Sequence, residues 1–163
     1  MIIFFLLALG AASPSPDHEV QLQRGNCPMF WYSFQDRCYK YVASYMTWAD
    51  AELHCVAQGA NLVSVHSLEE HSFINSLIHN FDPARKHTWN GLSDIAKEGA
   101  WMWSDGSQVN FLLWNEGEPN NGGGAGFVEH CGHTNAGIDF MWNDAGCGYP
   151  VPCHPGQSGP GPQ

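Results

Sequence analysis

Gly117 to Cys131 reads GEPNNGGGAGFVEHC, and Trp142 to Asp144 reads WND. The first stretch holds two carboxylates, Glu118 and Glu129, and two amides, Asn120 and Asn121, around a proline and a run of glycines. The second adds Asn143 and Asp144. Glu118, Asn120, Glu129, Asn143 and Asp144 are hard oxygen donors. Calcium takes roughly 6–8 such oxygens at about 2.3–2.6 Å, from carboxylates, amide carbonyls, main-chain carbonyls and water. Pro119 bears directly on this reading. A trans peptide in an extended stretch sends neighbouring side chains apart, whereas a cis X-Pro bond folds the chain and lets Glu118 and Asn120 reach one ion.

The rest of the chain suits such a site. Sixteen Asp and Glu face six Lys and Arg among 163 residues. That balance argues against nucleic acid or an anionic membrane as partner, since both are recognised through basic patches. Residues 1–12 form an apolar run ending in small residues and read as a secretory signal peptide. The run is far shorter than the ~20 residues that span a bilayer, and no other stretch could span. The expectation is one secreted, extracellular domain. Six cysteines, an even number in an exported chain, imply three disulfides whose pairing the sequence leaves open. "CGH" at Cys131–His133 and "CH" at Cys153–His154 offer soft ligands, but the CxxC pairs of structural zinc sites are missing.

Residues 13–26 are polar and irregular, a short neck. GNCPMFWYSFQDRCYKYV alternates aromatics around a turn at Gln35–Arg37 and reads as a β-hairpin stapled by Cys27 and Cys38. TWADAELHCVAQG is a helix, with Thr47 as cap and Asp50 three residues on. Two apolar stripes run along it, Trp48–Ala51–Cys55 and Ala49–Leu53–Val56, and Gly59 stops it. NLVSV is a short strand. Ser67 with Glu70 caps a second helix whose apolar face is Phe73, Ile74, Leu77 and Ile78. HTWNGLSD is a strand running into a polar turn. From Ser104 to Gly137 no period is sustained, and so long an irregular segment points to function or a held ligand. Helices early and strands late make an α+β domain rather than a βαβ series. Beyond Cys153 the Pro/Gly-rich residues 154–163 read as a disordered tail.

CYKYV, TWADAELHC, GANLVSVHSLEE, TWNGLSD, WMWSDGS, FLLWNEGEPNN, VEHC and WNDAGC follow one another in the order and approximate spacing of a C-type lectin domain. The resemblance covers residues 27–153 and is strongest to small secreted fish lectins of the nattectin type. It implies two helices, two small antiparallel sheets and a long calcium-binding loop. It implies the pairs Cys27–Cys38, Cys55–Cys153 and Cys131–Cys147. It also implies that Glu118, Asn120, Glu129, Asn143 and Asp144 hold Ca2+ and, together with the ion, the vicinal hydroxyls of a sugar. Glu-Pro-Asn goes with mannose-like glycans in that family, while the long glycine-rich span keeps galactose-like glycans open, although Phe127 is the one aromatic there.

The chain departs from the family pattern in places. WNGL puts Asn90 where an aliphatic is usual. Asp94 and Glu98 match an auxiliary calcium position, but Asn121 and His130 stand where that site often has Asp, which argues against a second ion. Pro150 and Pro152 interrupt the closing strand, which is then short or at an edge. No HExxH or GxSxG motif supports an enzyme, and His66 and His71 read as structural. Trp101, Trp103, Trp114 and Trp142 read as core or loop-base aromatics. The expected function is a calcium-dependent, carbohydrate-binding lectin without catalytic activity. An ice-binding protein or a protein-binding, venom-type toxin on the same scaffold is the alternative. No heptad or collagen repeat shows a route to an oligomer.

Overall fold

The computed structural model describes residues 21–123 and 128–157. The expected signal peptide, the first part of the neck, Phe127 and residues 158–163 lie outside them. In chain order the elements are β1 (Tyr32–Phe34), β2 (Arg37–Tyr39), β3 (Val42–Met46), α1 (Trp48–Val56), β4 (Asn61–Leu62), α2 (Leu68–Phe81), β5 (Thr88–Ser93), β6 (Met102–Trp103), β7 (Cys131–Ala136), β8 (Met141–Ala145), β9 (Val151–Cys153) and β10 (Pro155–Gln157). The architecture is the expected α+β, C-type lectin-like one.

Both helices start where their caps place them. Thr47 Oγ1 accepts the Asp50 N–H, and Ser67 Oγ accepts the Glu70 N–H. Each cap satisfies one of the donors a helix N-terminus leaves open, worth about 1 kcal/mol. On α2 the four expected core residues, Phe73, Ile74, Leu77 and Ile78, are all buried. On α1 only one stripe is used: Ala51 and Cys55 are buried, while Leu53 and Val56 are exposed.

One sheet has the order β1-β2-β10-β4 and is antiparallel. Its hairpin turns at Gln35 and Asp36, both with positive φ, as expected of a tight two-residue connection. The second sheet has the order β3-β9-β5-β7-β8, with β6 on β5. This sheet is mixed rather than antiparallel, because β9 runs parallel to β5 at Trp89↔Cys153. β9 is short, as Pro152 requires, yet it lies between β3 and β5 and not at an edge. Val42 pairs with Cys153 and Met46 with Val151, so β3 bulges around the residue that has no N–H to donate.

The expected tail also needs correction. His154 is fully buried, and Pro155–Gln157 form β10 between β2 and β4. The pairing partners, Cys38–Tyr39 and Asn61–Leu62, lie far back in the sequence, and they outweigh the Pro/Gly composition. The neck is likewise partly tied down: Gln23 bridges to Ser33, and Leu22 packs on the core.

Two disulfides stand as expected, Cys27–Cys38 and Cys131–Cys147. The third expected bond, Cys55–Cys153, is not formed. Both residues are free, fully buried thiols, and contact with Cys153 followed by burial pushes the Cys55 thiol up.

The residue expected to sit badly, Asn90, is fully buried. Its Oδ1 accepts the Leu92 N–H, and its main-chain carbonyl accepts the Trp48 indole N–H. Beside it, a Cβ at Gly91 would lie 2.8 Å from the Leu62 carbonyl and 2.7 Å from Ser104 Oγ, so the close approach of β4 and β5 requires glycine. Trp142 is the keystone under the loop. It is fully buried, meets Trp103, Phe111 and Trp114 edge-on, and donates its indole N–H to His71 Nδ1 at 3.2 Å. It thereby fixes β8, and with it Asn143 and Asp144, against α2.

Candidate functional site

β8 lies antiparallel to β7, with Gly132 opposite Asp144 and His133 opposite Asn143. The strand alternates, so Trp142 and Asp144 turn inward. Asp144 is only 1% exposed, and its two oxygens accept the main-chain N–H groups of Asn120 (3.0 Å) and Asn121 (2.7 Å). These bonds to a charged acceptor pin the loop onto the strand. The Glu118–Pro119 peptide is cis, and Asn120 Nδ2 donates to Glu118 Oε1 at 3.0 Å. Asn120 Oδ1 accepts the Gly122 N–H, and Asn121 Oδ1 accepts the Glu129 N–H at 2.9 Å. The last bond joins the two ends of the glycine-rich span.

Glu118, Asn120, Glu129 and Asp144 therefore gather on one patch. Asn143 lies beside them on the other side of β8, where its Nδ2 sits 3.1 Å from His133 Nε2. His133 is buried, and burial pushes its pKa down to about 4, so it meets Asn143 as a neutral imidazole. The bridging role of Asn121 was not legible in the sequence, since an amide in such a loop reads equally well as a ligand.

The patch concentrates negative charge. Partial burial, followed by the neighbouring Asp144 carboxylate, pushes the Glu118 pKa up to about 7, with Glu129 adding to the effect. Glu129 is raised by burial and by Asp144. Glu118 Oε2 is buried without a hydrogen-bond partner. An acceptor left unpaired in the interior costs about 1–3 kcal/mol, more when charged. A hard divalent cation at this point would satisfy that oxygen and relieve the repulsion together. The donor set is carboxylate and amide oxygen without thiolate, which is the chemistry of calcium.

A second cluster stands at the base of the loop. Asp94, Glu98 and His130 each bring one ligand atom to within 4.8 Å of the others. The remaining candidate histidines are structural in their contacts. His66 Nδ1 lies 2.8 Å from Asn110 Oδ1, and His71 takes the Trp142 indole N–H. Of the four tryptophans read as core or loop base, Trp103 and Trp142 are buried, and Trp101 and Trp114 are partly buried and pack edge-on to each other. Among the described residues no helix is long and apolar enough to cross a membrane.

Known proteins resemble this chain in sequence and in fold. Residues 44–153 match the family described as Lectin C-type domain. The chain is 37% identical over 147 residues to "Galactose-specific lectin nattectin" of Thalassophryne nattereri, covering 90% of this chain and 87% of that one. It is 42% identical over 130 residues to "Lactose-binding lectin l-2" of Anguilla japonica, covering 77% and 75%. Among solved structures, a Ca2+-dependent type II antifreeze protein in its Ca2+-free form superposes with a TM-score of 0.73 at 30% identity, over 81% of this chain and all of the other.

Proposed function

Because this chain belongs to the C-type lectin domain family, we propose that it is a secreted, calcium-dependent, carbohydrate-binding lectin whose site is Glu118, Asn120, Glu129, Asn143 and Asp144. The observation that carries the reading is the buried, unpartnered Glu118 Oε2 facing the Asp144 carboxylate. Asn120 answers Oε1, but no donor among the described residues meets Oε2, and a cation with a sugar above it would. When bound, calcium supplies an electrostatic anchor for two neighbouring sugar hydroxyls. The side chains then sort those hydroxyls: carboxylate oxygens of Glu118 and Glu129 accept, and the amide groups of Asn120 and Asn143 donate. Asp144 positions the loop through the two N–H groups it holds. An ion and two hydroxyls give weak affinity for a monosaccharide, about millimolar, so useful avidity needs several sites.

Glu118-Pro119-Asn120 supports a mannose-like ligand. A galactose-like ligand is favoured by a separate observation, the galactose specificity that the Thalassophryne relative carries in its name, at 37% identity. Inhibition of binding to a mixed-glycan surface by free mannose and free galactose, in calcium, separates the two. Inhibition by neither sugar would remove the carbohydrate reading.

A further inference from the structure

We propose that Asp94, Glu98 and His130 form a zinc site at the base of the loop, distinct from the calcium site and without need of a fourth protein ligand. The three residues come from two segments held in fixed relation. Asp94 and Glu98 lie in the turn after β5, and His130 directly precedes β7. The Asp94 main-chain N–H donates to the His130 carbonyl at 3.1 Å and locks the segments together. Asp94 is 1% exposed, and its Oδ2 accepts the Gly99 N–H at 2.8 Å, which leaves Oδ1 aimed at the imidazole. His130 Nδ1 lies 2.8 Å from Asp94 Oδ1 and 3.4 Å from Glu98 Oε2.

Those spacings fit a small tetrahedral ion. Zinc bonds of about 2.0–2.2 Å set tetrahedral ligand atoms about 3.4 Å apart. The Glu98–His130 separation already has that value, and the Asp94–His130 pair needs to open by about half an ångström. Glu98 is 60% exposed and free to adjust, while Asp94 is held. Three protein ligands leave the fourth position for water.

The same residues suit calcium poorly. Calcium needs roughly 6–8 oxygens. Here one of the three groups is an imidazole, and the nearby Asn121 Oδ1 is already engaged by the Glu129 N–H. Imidazole with carboxylate favours zinc among the available divalent ions. It is the imidazole that distinguishes this trio from an ordinary acidic surface cluster. On binding, the Nδ1 lone pair goes to the metal and the neutral imidazole carries its proton on Nε2, so Asp94 Oδ1 turns from the ring to the ion.

The test is zinc titration of the full-length protein by competition with a fluorescent zinc chelator, in the presence of millimolar calcium. The wild type should take up one equivalent of zinc that calcium does not displace. His130→Ala should weaken that binding more than about 100-fold, beyond the loss of an outer-shell partner, whereas His54→Ala, at an exposed helix position, should leave it unchanged. Because His130→Ala could disturb the turn, His130→Asp is the second variant. It keeps a partner-forming side chain, and it should lose zinc while gaining an additional equivalent of calcium in equilibrium dialysis. Zinc uptake that is equally strong in His130→Ala, or a wild type that takes up none, would overturn the site and leave the trio as an imidazole–carboxylate hydrogen bond.

Discussion

Removing calcium should destabilise the protein by an amount that depends on pH in a defined direction. In the cation-free fold Glu118 titrates at about 7 instead of 4.5. A carboxyl raised in the folded state contributes stability that is full below the unfolded value and is lost as pH rises through the folded one. At about 1.4 kcal/mol per pH unit, the window from 4.5 to 7 corresponds to at most about 3 kcal/mol, less a discount for the partial exposure of the group. Calcium reverses the sign, because it favours the ionised carboxylates that repel one another without it. Saturation at 100 times the dissociation constant adds about 2.7 kcal/mol, or roughly 5–10 °C in Tm for a domain of this size. The buried histidines oppose the Glu118 trend in absolute stability, so the quantity to measure is the difference in Tm between calcium and chelator at each pH. That difference should be near zero below about pH 5 and grow to its full value by about pH 7.5. A difference that is flat with pH, or zero throughout, would refute the argument that these carboxylates await a cation.

Three further outcomes follow from the same geometry. Asn143→Ala should abolish retention on a sugar column while costing the fold only about 1 kcal/mol for the lost contact with neutral His133, read by column elution and thermal melting. Exchanging acid and amide around Pro119, with Glu118→Gln and Asn120→Asp, keeps the carboxylate count and should shift monosaccharide preference between mannose and galactose, measured by competition; an unchanged ranking would place the choice in the glycine-rich span. Burial lowers the pKa of His71 to about 4 and of His154 to about 3. Each should therefore cost about 1.4 kcal/mol of stability per pH unit as the pH falls below 6.5 toward those values, and His71→Phe should flatten that part of the acid melting profile.

Much of this molecule could be read from its sequence because the signals were local. Thr47 and Ser67 cap helices through residues three positions away, and Phe73 to Ile78 share a face by helical period. Glu118–Asn120 and Asn143–Asp144 are pairs of oxygen donors within a few residues of each other. What escaped depends on pairings across the chain. Pro155–Gln157 carry the composition of a tail, yet β2 and β4 offer them ladder partners from the opposite end of the sequence. Pro152 argues for a strand that is short or at an edge; β9 is short, and the bulge in β3 lets it sit inside the sheet. Leu53 and Val56 have the right period for a core stripe, and only the position of the neighbouring sheet decides which stripe is buried. Asn121 gave no sign that it bridges to Glu129, because the same amide would serve equally as a ligand or a clasp.

The most direct test of the central claim is a glycan array probed with the purified protein in calcium and again in excess chelator. Binding is expected to glycans with accessible vicinal hydroxyls of one monosaccharide class, all of it lost on chelation and restored by added calcium. Binding that persists in chelator, or a blank array from a protein that instead shows thermal hysteresis in ice, would contradict it.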